Sequence, residues 1–461
     1  MDAPRPVTAR LPIALVAGAL VVAGVAAVGF GAAIRAGNPD RGAGGGRIAV
    51  VDARGALSVV DARGEIVLEL DVPGTSFQFP AWSPDGRRVA AIGSGPDGSG
   101  VYVFTIGTSD VAHMPVAPAV LYVDGDRPPF YLSWSPDGTR VTFLTTEADG
   151  IALRVAPADG ESPAEVVREG APFYWDWVDP ERLLVHVGGD GPDAFIGEVG
   201  FEGTSLETDT IDAGLFRSPA VSRDGAHRAY VGPSPSAGID QAIVVEARDA
   251  SHRHEIAAHG NVALGFDPAG SRLAFIASVD PRFEAAVLPV GPLRIVDAIS
   301  GAVRTLLDRP VVGFFWSPDG ETIAVLVLLD PGTPDIDEAG VGVAVRSAST
   351  VRATSTVRAA SPVRAAPAVD LPGIALHLAF VDTGTGALRS QRDIRVTDTF
   401  AFQVLPYFDQ YALSHRFWSP DSTSLTLPLA SIDAGDRLTA LPADGSEPWP
   451  LGDAAMGSWS P

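Results

Sequence analysis

One short turn recurs along this chain and restricts its fold more than any other feature. Trp82-Ser83-Pro84-Asp85-Gly86, Trp134-Ser135-Pro136-Asp137-Gly138 and Trp316-Ser317-Pro318-Asp319-Gly320 are full copies. Trp418-Ser419-Pro420-Asp421 lacks only the glycine, and Trp459-Ser460-Pro461 is a shortened copy. Weaker versions stand at Trp177-Val178-Asp179-Pro180, Val221-Ser222-Arg223-Asp224-Gly225 and Phe266-Asp267-Pro268-Ala269-Gly270. Each joins two apolar runs. Proline presets φ for the first central position of a type I turn, aspartate bonds back to nearby backbone N–H groups, and glycine takes the left-handed position that closes a hairpin. The unit is therefore strand–turn–strand. Counted on the residue before each turn, the copies are 52, 43, 44, 45, 50, 102 and 41 residues apart. A period in the forties is the mark of a propeller or a solenoid.

Composition agrees with an all-β reading: 50 Gly and 39 Pro in 461 residues make a chain rich in turns. The formal charge is −23, and every basic side chain other than histidine is arginine. So acidic a surface repels phosphate backbones, which argues against nucleic-acid binding. With no cysteine there is no disulfide, thiolate metal site or cysteine nucleophile.

The order of segments is expected to be a tail over 1–10, an apolar anchor over 11–34, a linker over 35–46 and the repeats over 47–461. Leu11 to Ile34 is a 24-residue run without a charge, long enough to span a bilayer as one helix. A cleaved signal peptide and a buried core helix are the other readings, although the run exceeds the usual apolar core of signal peptides. The Gly-rich stretch 36–46 is a flexible tether. Three strands, Ile48–Asp52, Ala56–Asp61 and Glu65–Asp71, precede the first turn copy, and the last copy stands beside a strand near Ala455 to Trp459. These leftovers complete each other, so the ring is expected to close by pairing the chain's two end strands. Four-stranded blades result, eight by the spacing, with seven as the alternative. The long interval before Trp418 holds an insertion over 330–372, with a tandem hexapeptide beginning at Val345 whose arginines are Arg346, Arg352, Arg358 and Arg364.

The repeated Trp-Ser-Pro-Asp-Gly followed by a short apolar strand resembles the TolB-like, WD40-like (PD40) β-propeller repeats, a turn also found in the propellers of prolyl-oligopeptidase-type peptidases. The resemblance covers residues 47–461. It implies a propeller in which Trp82, Trp134, Trp316 and Trp418 are packing residues, and it says almost nothing about function.

Little in the chain announces chemistry. A peptidase of that superfamily would need a Gly-x-Ser-x-Gly elbow, and none occurs. His252 and His254 share one face of a strand but lack an evident third ligand, so an exposed strand face is preferred over a metal site. The acids Asp335, Asp337 and Glu338, like Asp124 and Asp126, lack the spacing of a Ca²⁺ loop. No catalytic residue, metal or cofactor is expected.

The long connections carry more information. Ala117–Phe130 and Val396–Ala412 combine aromatics with acids, and we single out Tyr122, Asp124, Asp126, Tyr407, Phe408, Asp409 and Tyr411 as candidate binding residues. The competing reading has these aromatics packing down to plug the channel mouth. The expectation is a membrane-anchored, extracytoplasmic propeller that binds a protein, peptide or glycan without catalysis. The alternatives are a propeller hydrolase or lyase with its site at the central channel, and an accessory subunit of an envelope peptidase complex.

Overall fold

The computed structural model describes residues 46–107, 117–188, 194–201, 217–234, 239–278, 288–329, 373–431 and 435–461. The chain divides into the units Met1–Pro39 and Asp40–Pro461, and only the second contains described residues. The apolar run Leu11–Ile34, the hexapeptide from Val345 and the acids Asp335, Asp337 and Glu338 lie outside them. Among the described residues no helix is long and apolar enough to cross a membrane.

Antiparallel strands dominate, grouped into sheets of four, four, three, four, ten and four strands. Most turn copies join one antiparallel strand to the next. Ser76–Trp82 leads into Arg88–Gly95, and Pro129–Trp134 into Arg140–Glu147. Phe173–Asp179 leads into Arg182–Val187, and Val262–Phe266 into Arg272–Ala277. At the weak copy Val221 the inner strand shrinks to Ala220–Val221. The ring closes as expected: Ala454–Trp459 pairs with Arg47–Asp52, placing Ile48 opposite Trp459 and Val50 opposite Gly457.

The turns are built as the sequence implies, with one addition. Gly86, Gly138, Gly225, Gly270 and Gly320 all have φ near +70°. Where the glycine is missing, Ser422 takes φ 60° instead. Asp85 accepts from the N–H of Arg87 at 3.1 Å, and the other turn aspartates behave alike. The serine is the part that spacing alone did not assign. Ser83 Oγ donates to Asp85 at 2.5 Å and accepts from the N–H of Arg88 at 3.0 Å, so it ties the turn to the start of the next strand. Ser135, Ser222, Ser317 and Ser419 repeat this, and Asp267 substitutes for it in the weak copy.

The same motif also fastens each group of strands to its neighbours. The Trp134 indole donates backwards to the carbonyl of Ala81, the residue just before Trp82, at 3.0 Å. Trp82 does the same to Ser458, Trp316 to Gly265 and Trp418 to Phe315. At three copies an arginine six positions after the aromatic, Arg88, Arg140 or Arg272, reaches forwards. Arg88 donates to the carbonyl of Gly138 and lies over the Trp134 ring, and Arg272 does so with Gly320 and Trp316. Trp177 is the exception among the motif tryptophans, because its buried indole N–H has no partner. Val221 and Phe266 have no such N–H to offer.

Two segments differ from expectation. Ala119–Asp124 is an outer strand paired with Gly98–Thr105, so Tyr122 and Asp124 belong to a sheet edge and not to a free loop. The run Ala119-Val120-Leu121-Tyr122-Val123 has the apolar, β-branched content of a strand, and that local preference prevails. The connection after Val396 is helical: Phe400–Val404, Leu405–Tyr407 and Phe408–Ser414 follow one another as short turns of differing pitch.

Candidate functional site

The helical connection is the point at which the inner strands converge. Within it Phe400, Val404, Leu405, Phe408, Gln410 and Tyr411 are all buried. The Phe408 ring packs edge-on against Phe314 and Phe315 at 5.2 and 5.9 Å. Tyr411 stacks on Phe79 at 5.7 Å and meets Tyr131 edge-on at 5.3 Å. Phe79 and Tyr131 both sit where the strand register slips, and both hold φ of 53°. A left-handed residue at a bulge re-aims its side chain, and the two rings meet at Tyr411. The segment therefore plugs the ring at the end opposite the hairpin turns, the second of the two arrangements that the sequence left open.

Gln410 is the polar centre of this plug. Its Nε2 donates to the Trp175 carbonyl at 2.9 Å and to the Tyr131 hydroxyl at 3.0 Å, while its Oε1 accepts from the Trp175 N–H at 3.2 Å. The Tyr131 hydroxyl donates in turn to the Gln410 carbonyl at 2.5 Å, and Ser218 Oγ donates to Gln410 Oε1 at 3.4 Å. Buried amides persist only where donors and acceptors are matched, and this one is.

Titration reflects the same burial. The His415 imidazole packs against Tyr411 and accepts or donates at Ser414 Oγ, 2.7 Å away. Burial holds it down to about 4, so it is neutral near pH 7. Burial likewise raises the Tyr131 and Tyr411 hydroxyls. Asp176 is 9% exposed and raised to about 7 by burial, with its oxygens accepting from the N–H groups of Trp177 and Val221 at 2.8 and 2.7 Å. Asp409 is half-buried, and burial raises its carboxyl to about 7 as well. The Asp409 charge bears on Tyr174, whose hydroxyl is raised chiefly by burial, and Arg217 lowers both groups. Burial, not a second carboxylate, is the main cause of each raised acid, so the two do not form a proton-sharing dyad.

The candidate residues thus separate. Phe408 and Tyr411 face the interior, Tyr407 is 39% exposed and 6.3 Å from the Tyr174 ring, and Asp409 lies between these extremes. Two residues of the same segment that were not among the candidates are also exposed, Phe402 at 67% and Leu413 at 38%. Their exposure depends on which side of a short helix faces the ring, which spacing within an irregular segment does not reveal. Tyr122, Asp124 and Asp126 form a separate group. The Tyr122 ring packs on Phe143, and its hydroxyl donates to the Arg127 carbonyl at 3.0 Å. The Asp124 carboxylate accepts from the N–H groups of Asp126 and Arg127, and these bonds with the Arg127 side chain hold it down to about 2. It organises its own turn. Asp126 is exposed.

His252 and His254 do lie side by side, with ring centres 5.7 Å apart, and His227 stands 5.2 Å from His252. Among the described residues no three His, Asp or Glu side chains are grouped so as to hold a metal.

No protein-family model and no curated protein matches the chain. Among solved structures, one from a study of two prolyl endopeptidases matches with a TM-score of 0.50 at 11% identity, over 84% of this chain and 50% of that one. The chain therefore spans half the length of that endopeptidase. A dihydro-heme d1 dehydrogenase matches with a TM-score of 0.50 at 13% identity, over 90% of this chain and 74% of that one. A putative TolB of Agrobacterium tumefaciens matches more loosely, with a TM-score of 0.34 at 13% identity over 76% of this chain and 90% of that one. Identities this low speak to fold alone. The fold is a β-propeller, and its repeats resemble those of TolB-like and WD40-like propellers.

Proposed function

We propose that this chain is a non-catalytic binding module whose partner, a protein or peptide, docks on the outer face of the plug. One observation carries the reading. The segment that fills the channel end with Phe408, Gln410 and Tyr411 turns Phe402, Tyr407 and Leu413 towards solvent. Aromatic anchors held on a rigid base are typical of interface hot spots, and clustered exposed apolar groups mark docking faces. The half-buried Asp409 beside them would supply polar register.

In this reading the ring has eight blades. Val303–Trp316 serves as the outer strand of one blade and the inner strand of the next, and the single pair Val396–Leu429 joins the following blade. The ten-stranded sheet is then three blades joined edge to edge. The run Leu11–Ile34 tethers the propeller to a membrane, with the propeller on the extracytoplasmic side.

The enzymatic alternative has one feature in its favour, an acid at about 7 beside Tyr174 and Tyr407. The prolyl endopeptidase and dehydrogenase likenesses extend to fold only.

The test is the double substitution Phe402→Ala and Tyr407→Ala, read by crosslinking in intact cells and by thermal melting. A melting point within a degree or two of wild type together with loss of the crosslinked partner supports the reading. An unchanged set of crosslinked partners would sink it.

A further inference from the structure

The fifth inner strand, Ala220–Val221, leads into a seam that lacks both fasteners described above. Phe266 stands where a motif tryptophan would donate its indole N–H, and His227 stands six residues after Val221, where Arg88, Arg140 and Arg272 stand in their own copies. The His227 imidazole lies 6.4 Å from the Phe266 ring, a short-armed counterpart of Arg88 over Trp134. Its other neighbour is the His252 ring, 5.2 Å away.

Both imidazoles carry a nitrogen sealed from solvent and without a hydrogen-bond partner, Nδ1 of His227 and Nε2 of His252. A buried polar atom left unpaired is costly, and two such atoms on adjacent rings call for a shared partner. The tautomer of His252 is compatible with one: its Nδ1 is 3.1 Å from Ser251 Oγ, and a proton held there leaves the lone pair on Nε2. The spacing fits as well. With a metal–nitrogen distance of about 2.0–2.1 Å, a metal lies about 3.2 Å from each ring centre, and two ligands at the tetrahedral angle then have centres about 5.2 Å apart.

We propose that His227 and His252 form a two-imidazole site for a borderline divalent transition cation, Zn²⁺ or Ni²⁺. Imidazole nitrogen suits these ions, while Mg²⁺ and Ca²⁺ require oxygen ligands. His254 serves as a wall of the site. Its Nε2 is 2.9 Å from the Ile299 carbonyl, and the Nδ1 edge of its ring lies against Gly301. Two protein ligands make a weak site, reversible and more occupied as free metal rises. Occupation would brace blade-like sheet Ala220–Ala257 at the seam where the tryptophan and arginine fasteners are missing.

The experiment is a titration of the untagged full chain in detergent with ZnCl2, and separately NiCl2, by calorimetry, with melting recorded in parallel and MgCl2 as control. His227→Arg is the informative variant, because arginine already occupies this position in three other copies and should fold normally. His252→Gln is the second variant, and His259→Gln is the control histidine. The proposal expects one saturable Zn²⁺ site, a higher melting point with Zn²⁺ but not Mg²⁺, and at least a tenfold loss of affinity in both His227→Arg and His252→Gln. His259→Gln should bind as wild type. Wild-type affinity in folded His227→Arg, or no saturable binding of either metal up to 1 mM, would overturn it.

Discussion

The side-chain amide of Gln410 pairs with the main chain of Trp175 on both sides, donating to its carbonyl at 2.9 Å and accepting from its N–H at 3.2 Å. It stands in for the next strand residue at the inner edge of the sheet Phe173–Gly200, where the ladder would otherwise end in empty channel. Inner strands of a propeller are edges, and their exposed N–H and C=O groups need a partner. Here the plug supplies it.

Gln410→Ala should therefore cost more than a lost surface hydrogen bond. It strands the Trp175 N–H and carbonyl in a buried position, and the Tyr131 hydroxyl loses the Gln410 N–H from which it accepts. We expect a loss of about 2–4 kcal/mol in urea unfolding, the sum of orphaned buried groups and a small cavity. A loss below about 1 kcal/mol would mean that the plug is not fixed by this amide.

The motif tryptophans allow an internal comparison. Trp82→Phe removes the indole donor from the Ser458 carbonyl, whereas Trp177→Phe removes an indole N–H that bonds to nothing. Ring volume falls equally in both. Trp82→Phe should be the more destabilising by about 1 kcal/mol, the net worth of one buried hydrogen bond. Equal losses in chemical denaturation would show that the backward bonds between neighbouring sheets contribute nothing beyond packing.

These two cases also show what the sequence could and could not reveal. The turn copies made the hairpins legible, because proline, aspartate and glycine act locally and bring their geometry with them. Ring closure was legible because three strands at one end and one at the other had no local partners. The plug was not, since the segment Phe400–Ser414 contains Pro406 and mixed helical pitches, and no periodic apolar stripe marks which side faces inward. Its role depends on Tyr131 and Trp175, some 279 and 235 residues away in the chain. The seam at His227 was likewise invisible until the arginines at equivalent positions were seen to lie over neighbouring rings.

Asp409 gives a pH signature with a definite sign. Its folded carboxyl is raised to about 7 from an ordinary value of 3.8, so the folded state holds a proton that the unfolded chain releases between those pH values. That contribution is fully present below about pH 4 and is lost as pH rises through 7. His415 works the other way: its imidazole, held down to about 4 from 6.5, favours folding above pH 6.5 and costs stability as pH falls towards 4. Asp409→Asn removes only the first effect. Relative to this variant, wild type should lose about 1–2 kcal/mol between pH 4 and pH 8, less than the full linkage value because solvent reaches the half-buried carboxyl. Parallel stability curves for the two proteins across that range would refute the burial assigned to Asp409.

The last prediction concerns closure. Removal of residues 454–461 takes away the inner strand paired with Arg47–Asp52, exposing the N–H and carbonyl groups of that strand as a new edge. It also removes the Ser458 carbonyl that accepts from the Trp82 indole and the Trp459 indole that donates to Thr426 Oγ1 at 2.8 Å, so both neighbouring seams lose a bond. Finally it breaks the exchange in which Arg47 N–H donates to Ser460 Oγ and Ser460 N–H to the Arg47 carbonyl. Large buried groups go with it, Trp459 among them at 2% exposure. Burying one such aromatic alone is worth roughly 1.5–3 kcal/mol, and a domain's whole margin is only about 5–15 kcal/mol. The truncated protein should therefore fail to unfold cooperatively and should associate through its open edges in size-exclusion chromatography. Trp459→Phe is the milder companion. It keeps the strand and loses one bond, and it should remain a cooperative, monodisperse fold with a lower melting point. A truncated protein that melts like wild type would mean that the ring does not depend on this strand pair.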